Sequence, residues 1–382
     1  MPNKTRYELK NMQKKIDLLL SFLRCALWNE STNTELDDKE FRSLMIIAEQ
    51  QSVVGLVIDA ATRIKCNIPQ RLLYEAISIS LNIQHQNQLT NQSLKELVLF
   101  CNDNKIEYII VKGQTIGNLY INPLLRIPGD IDYLISEEYS YIRRKIENSF
   151  KIVLPNTLQK KEIAYEKSGI TFELHTSLLD FGSKKNELYW ESLMHEAWAN
   201  QYVTTLDDVK VRILPPTINA VYVFLHLFFH LVREGVSLRQ FCDWAILLHS
   251  YRNEIDKDRV YEILSSLDML KAYRVFGFIL IDEIGLKEAE FPLSLTSDDW
   301  KWKGSILNDI FKGGNFGILN HKSSSGFKHR METLWMLIKN TYRYWSLSPR
   351  EMKRMIWKVV KIDFLVVVSH IVPLSRSNTT RC

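Results

Sequence analysis

Asp130 and Asp132 are separated by one residue in the segment Gly129-Asp-Ile-Asp-Tyr-Leu-Ile135. The β-branched and aromatic residues there predict a strand, on which alternate side chains share a face about 7 Å apart. The two carboxylates therefore point the same way while Ile131 turns into the core. Like charges so placed repel unless a cation sits between them, and hard oxygen ligands suit Mg²⁺ or Mn²⁺. A third acid would permit a two-metal geometry, with ions about 4 Å apart that activate an attacking oxygen and hold a leaving pyrophosphate. Glu173 is the candidate. In Ile170-Thr-Phe-Glu-Leu-His175 the apolar Phe172 and Leu174 face opposite to it, so a neighbouring strand can bring it beside the pair. His175 shares the strand face of Glu173 and is a candidate contact for a nucleotide or an acceptor.

Upstream, Ile109-Ile-Val-Lys-Gly113 leads into a predicted short helix. Glycine allows close backbone approach and a helix start presents free N–H groups, a form suited to phosphate. Lys112 or Thr115 adds a side-chain contact, and Arg126, shortly before the acidic pair, offers phosphate a bidentate donor. Taken singly, each has a plainer reading: Asp-x-Asp is common at strand ends, and a lone arginine is most often a surface or salt-bridge residue. Their joint order carries the functional reading.

His226 and His230 stand at i and i+4 on one predicted helix face, which is zinc-ligand spacing, yet the glutamate of a His-Glu-x-x-His protease motif is absent. The readings are packing against the sheet with acids such as Asp243 as partners, lining of the active-site cleft, or a structural metal. From residue 320 to the end, twelve Lys and Arg stand against three acids, a surplus larger than the net +5 of the whole chain. Trp335, Tyr342, Tyr344, Trp345 and Trp357 are interleaved with them, a composition suited to nucleic acid or an anionic lipid surface. A helical stripe of Leu334, Ile338, Tyr342 and Trp345 over an aromatic core explains the same residues.

The elements that must hold these groups follow from periodicity. Apolar residues recur at helical spacing from Lys10 to about Gln92, with the polar run Gln84 to Gln92 read as exposed helix or linker. Strands are expected at 106–111, 131–135, 163–166, 170–174 and 209–214, short helices at 114–120 and 138–150, and a turn at Asn122-Pro123. Pro215-Pro216 marks a boundary, after which helical spacing returns. The fold class is α+β, with a helical region over 1–95, a small mixed-sheet core over 96–215, and a helical region with a basic tail over 216–382. Ser323–Gly326 is the expected flexible loop, and Phe364–Val372 a buried final helix or strand. The chain has 382 residues and five scattered cysteines with no Cys-x-x-Cys pair, which argues against a disulfide framework or thiolate zinc site and fits a reducing cytoplasm. No signal sequence or membrane span is expected.

The order Val111-Lys-Gly113, Leu119-Tyr120, Pro123, Arg126 and Gly129-Asp-Ile-Asp-Tyr-Leu-Ile135 resembles the signature of an uncharacterised nucleotidyltransferase family in the polymerase-beta superfamily. Phe172-Glu-Leu-His175 looks like its third acidic strand, and His226, His230 and Asp243 resemble its C-terminal helical part. The resemblance covers about residues 95–250. It implies a small mixed sheet with helices, Asp130, Asp132 and Glu173 as metal ligands, and the Lys112-Gly113 turn near an NTP's triphosphate. Gln114-Thr115 departs from the Gly-Ser or Gly-Gly usual in that turn, and glutamate replaces the commoner third aspartate. The expected activity is transfer of a nucleoside monophosphate to a small molecule, peptide or RNA, with release of pyrophosphate. The alternatives are a binding or regulatory protein that keeps this fold without turnover, and an RNA-binding protein that uses the basic tail.

Overall fold

A computed structural model of the chain describes residues 2–31, 35–64, 68–156, 161–296, 299–313 and 327–357. The chain begins with four helices, α1 (Pro2–Trp28), α2 (Asp38–Gln50), α3 (Val54–Arg63) and α4 (Gln70–Asp103). A reciprocal capping box between Asp37 and Glu40 starts α2, satisfying two backbone donors that a helix start would leave free. Helix α3 is buried from Val54 to Ala61. A Cβ on its Gly55 would lie 2.1 Å from the Leu125 carbonyl oxygen, so only glycine lets α3 press against the loop that carries Arg126.

Helix α4 runs for 34 residues and crosses residue 95 unbroken. The polar run Gln84–Gln92 lies inside it, and there Asn87 and Thr90 are buried. Their polarity has a local cause: Asn87 Nδ2 donates to the carbonyls of Leu124 (2.9 Å) and Arg126 (2.8 Å).

The sheet comprises β1 (Tyr108–Val111), β2 (Ile131–Ile135), β3 (Glu162–Lys167) and β4 (Ile170–His175) in the order β1-β2-β4-β3. Strand β2 is antiparallel to β1 and parallel to β4, while β3 and β4 form a hairpin. Ser168 (φ 53°) and Gly169 (φ 76°) turn that hairpin with the consecutive left-handed conformations that a two-residue connection favours. The one-turn helix α5 (Gly113–Gly117) and a 3-10 turn over Pro123–Leu125 join β1 to β2, and α6 (Tyr139–Phe150) follows β2. These match the expected strand and helix pattern. The sequence reading omitted α7 (Lys184–Asn200) and β5 (Val203–Leu206), which pairs with β6 (Val209–Arg212) in a separate two-stranded ribbon. A parallel bridge from Ile213 to Ile110 ties the end of that ribbon to β1.

Pro216 occupies the first turn of α8 (Pro216–Arg233), where its missing N–H costs nothing. Helix α8 is buried on nearly every side, and it packs with α9 (Leu238–Ser250), α10 (Lys257–Leu267) and α13 (Phe327–Arg343). Helices α11 (Leu270–Ile279) and α12 (Lys303–Gly313) complete the C-terminal helical region. The architecture is α+β, a small mixed sheet between helical regions.

In α13 the packing differs from the expected stripe. Thr341, and Tyr344 just past the helix end, are buried, whereas Tyr342 is 81% exposed, and Trp335 also faces outward. The inward face is therefore offset by one residue from the one the aromatics suggested. Ser323–Gly326, Phe364–Val372, Cys66 and Cys382 lie outside the described residues. Among those described, no helix is long and apolar enough to cross a membrane.

Candidate active site

The parallel pairing of β2 and β4 sets Asp132 opposite Glu173. Paired residues of neighbouring strands project to the same face, so both carboxylates meet over the sheet. His175 joins them, its Nε2 standing 2.9 Å from Asp132 Oδ1 and 3.7 Å from Glu173 Oε2. Among the described residues, Asp132, Glu173 and His175 form the group whose ligand atoms lie within 4.8 Å of one another and could hold a metal ion. Asp130 precedes β2, is half-buried, and lines the same cleft.

The opposite wall is basic. Lys112 Nζ lies 3.1 Å from Asp132 Oδ1 and 2.7 Å from His226 Nε2. Since an ammonium only donates, His226 accepts through Nε2 and carries its proton on Nδ1. His230 Nε2 stands 3.1 Å from the same atom, and His230 Nδ1 is 3.2 Å from Glu234. The i, i+4 histidines thus line the cleft. Asp243 is not their partner: it receives both Nε (2.7 Å) and Nη2 (2.8 Å) of Arg126, and the Tyr120 hydroxyl at 2.8 Å.

Burial and neighbours fix the charges. Burial opposes ionisation of Asp132, but Lys112 and then His175 outweigh it and hold the carboxyl well below the usual range. Burial likewise opposes the Lys112 charge, and Asp132 reverses the balance, leaving the ammonium above its ordinary value. Glu173 goes the other way, pushed up to about 9 by burial and by the carboxylates of Asp132 and Asp130. Burial, reinforced by Lys112, depresses His226 well below the ordinary imidazole value, so it is neutral.

The backbone adds a feature that residue types do not announce. Lys112 has φ 55° and ψ −145°, a conformation unusual for a residue with a side chain, and Gly113 follows at φ 48°. Strain of this kind costs about 1–3 kcal/mol and concentrates at functional sites. A Cβ on Gly113 would approach the Asp130 carbonyl to 3.2 Å, so the turn and the acidic segment are fitted closely together.

Lys112, Gly113, Arg126, Asp130, Asp132, Glu173 and His175 all line one cleft of about 330 Å³. Within it the Arg126 fork is already taken by Asp243. Thr115 is buried away from the cleft, with its hydroxyl donated to the Lys112 carbonyl at 2.6 Å. Sequence reasoning missed Asn87, Asn91 and Gln114, which hold the Lys112 turn against α4: Gln114 Nε2 donates to Asn87 Oδ1 (3.2 Å) and Asn91 Oδ1 (2.5 Å). Asparagines four apart in a helix were the available signal.

A solved structure described as an antigenic nucleotidyltransferase-like protein from Paracoccidioides brasiliensis is 15% identical, with 57% of this chain and 96% of that one covered, at a TM-score of 0.31. A likeness that slight carries no argument. No match was found among curated protein sequences. The model of the uncharacterised nucleotidyltransferase family, however, matches residues 37–281, which hold the sheet, the acidic cluster and both histidines, and the chain belongs to that family.

Proposed function

We propose that the protein transfers a nucleoside monophosphate from an NTP to a hydroxyl or phosphate of an acceptor, in a metal-dependent reaction that releases pyrophosphate. The observation that carries this reading is the convergence of Asp132, Glu173 and His175 opposite Lys112 in one cleft. Two carboxylates with an imidazole are a donor set that fits Mg²⁺ or Mn²⁺ through its oxygens, and Asp130, which lines the same cleft but lies outside that group, would be a further oxygen ligand in this reading. When bound, such an ion would neutralise phosphate charge and polarise the reacting phosphoryl group.

The chain's own groups do the rest. Lys112, Gly113 and the neutral His226 face the triphosphate, with Arg233 at the rim. Glu173 orients the acceptor oxygen or takes its proton during in-line attack on the α-phosphorus. His175 holds Asp132 in place and contacts the nucleotide. Arg126 and Thr115 act from behind, Arg126 by fixing the loop before Asp130 and Thr115 by closing the Lys112 turn. Buried, unpaired Cys25, Cys101 and Cys242 accord with a cytoplasmic location.

The test is incubation with each α-labelled NTP, Mg²⁺ or Mn²⁺ and a cell extract. The wild type should transfer label and Asp130→Asn/Asp132→Asn should not; equal labelling by both would end the reading. The outward Trp335, Tyr342 and Trp357, set among Lys and Arg, support a second role for the tail, contact with single-stranded RNA.

A further inference from the structure

A second cavity of about 710 Å³ adjoins the cleft and shares Gly129, Asp130 and Arg239 with it. Its wall is one face of α4, because Ile79, Asn82, Ile83, Gln86 and Thr90 recur at helical spacing. The turn at Gly169 and Thr171 of β4 close the other side. The volume lies in the range of small-molecule sites, about 300–1,000 Å³.

Its chemistry differs from that of the cleft. The cleft gathers Lys112, Lys161 and Arg233, cations fit for a triphosphate, whereas among the described residues Arg239 is the one basic residue lining the second cavity, set against Glu49 and Asp130. Among the described residues, no aromatic ring lines it to stack a nucleobase. The side-chain amides of Asn82 and Gln86 are exposed. Among the described residues neither amide enters a hydrogen bond to another side chain or to the backbone. Arg239 is fixed from below by donating Nη1 to the carbonyls of Ile127 (3.2 Å) and Pro128 (3.3 Å), while its buried Nε has no hydrogen-bond partner among the described residues. Amides, hydroxyls and aliphatic patches with little net charge match a ligand that offers many hydroxyls.

We propose that this cavity is the acceptor subsite and takes a neutral polyhydroxylated small molecule such as a sugar unit. The assignment rests on nucleotidyl transfer as the reaction. One acceptor hydroxyl would cross the shared wall at Asp130. Its oxygen forms the new bond to the α-phosphorus, its proton passes to the Glu173 carboxylate, which a bound cation would keep ionised against the repulsion of Asp132 and Asp130, and the bond from the α-phosphorus to the bridging oxygen breaks, releasing pyrophosphate.

Saturation-transfer NMR with maltose, glucosamine and glucose 1-phosphate as probes tests the site, alongside binding of Mg²⁺ with α,β-methylene-ATP. Maltose should give the strongest signal on the wild type. Gln86→Trp, which fills the cavity from an exposed helix face, should weaken it at least about fivefold, and Asn82→Leu, which removes an amide without filling space, about twofold or more. Nucleotide binding should stay within about twofold of the wild type in both. No maltose signal, a signal that Gln86→Trp leaves unchanged, or preference for glucose 1-phosphate or glucosamine would overturn the proposal. Blocked maltose binding in a protein that binds no nucleotide would sink nucleotidyl transfer, and the acceptor role with it, while the cavity's ligand class would stand.

Discussion

Lys112 has a carboxylate on one side and an imidazole on the other, and both contacts serve its charge. Its ammonium compensates Asp132, a carboxylate too deeply buried to stand alone, and His226 can accept from it because burial keeps that ring neutral. Glu173 faces Asp132 and Asp130, and its carboxyl is pushed up to about 9. In the unfolded chain it returns to the ordinary carboxylate range, so between those values the folded protein holds a proton that unfolding releases. This group's contribution to the stability of the metal-free protein therefore falls as pH rises from about 5 to about 9. Glu173→Gln, neutral in both states, should raise the Tm in chelator by an amount that grows across that window; a difference that does not change with pH would contradict this charge balance.

At the scale of elements, the loop between α5 and β2 is clamped from two directions. Helix α4 holds its carbonyls through Asn87, and α9 holds its arginine through Asp243. Removing one member of a buried ion pair strands the other, at about 3–5 kcal/mol, whereas replacing both by apolar groups costs far less. Arg126→Met should accordingly destabilise by about 3–5 kcal/mol, and Arg126→Met/Asp243→Leu should recover most of that, less about 1 kcal/mol for the orphaned Tyr120 hydroxyl. Chemical denaturation of the three proteins measures it, and a double variant less stable than Arg126→Met would contradict the pairing. Burial opposes the Asp243 charge but Arg126 holds its carboxyl low, so the pair's contribution is present above the ordinary aspartate value and lost as pH falls through the depressed one. Acid unfolding should be less steep in the double variant.

The same elements show what the sequence could disclose. The strand carrying Asp132 and the strand carrying Glu173 were readable because alternation and β-branched residues are local signals, and the helices because their apolar spacing is. Asp243 lies 117 residues from Arg126, and Asn87 lies 39 residues before it, so nothing local links them. The left-handed backbone of Lys112 was hidden for another reason: lysine, as a residue type, gives no hint of it. The polar stretch of α4 looked like a possible linker because its buried amides answer a loop rather than water.

Across the whole molecule, the cleft lies where the sheet, α5, α8 and α9 meet, and α13 packs against α8. Glu351 reaches back from the C-terminal helical segment to Asn186 Nδ2 at 3.0 Å, so this part is anchored to the core while Trp335, Tyr342 and Trp357 remain outside. If the tail binds RNA, affinity for a single-stranded oligonucleotide should fall steeply with salt and be unchanged by Asp132→Asn, as fluorescence anisotropy would report. Dependence on Asp132 would instead assign the binding to the cleft.

In the proposed reading, the acidic cluster and Lys112 together form a metal and triphosphate site. Titration calorimetry of the wild type and of Asp132→Asn/Glu173→Gln with α,β-methylene-ATP, each with Mg²⁺ and with chelator, tests it most directly. The wild type should bind only with the metal present, and the double variant should lose at least about tenfold in affinity, roughly 1.4 kcal/mol. Equal binding by the two proteins, or wild-type binding indifferent to the metal, would rule out a metal and triphosphate site there.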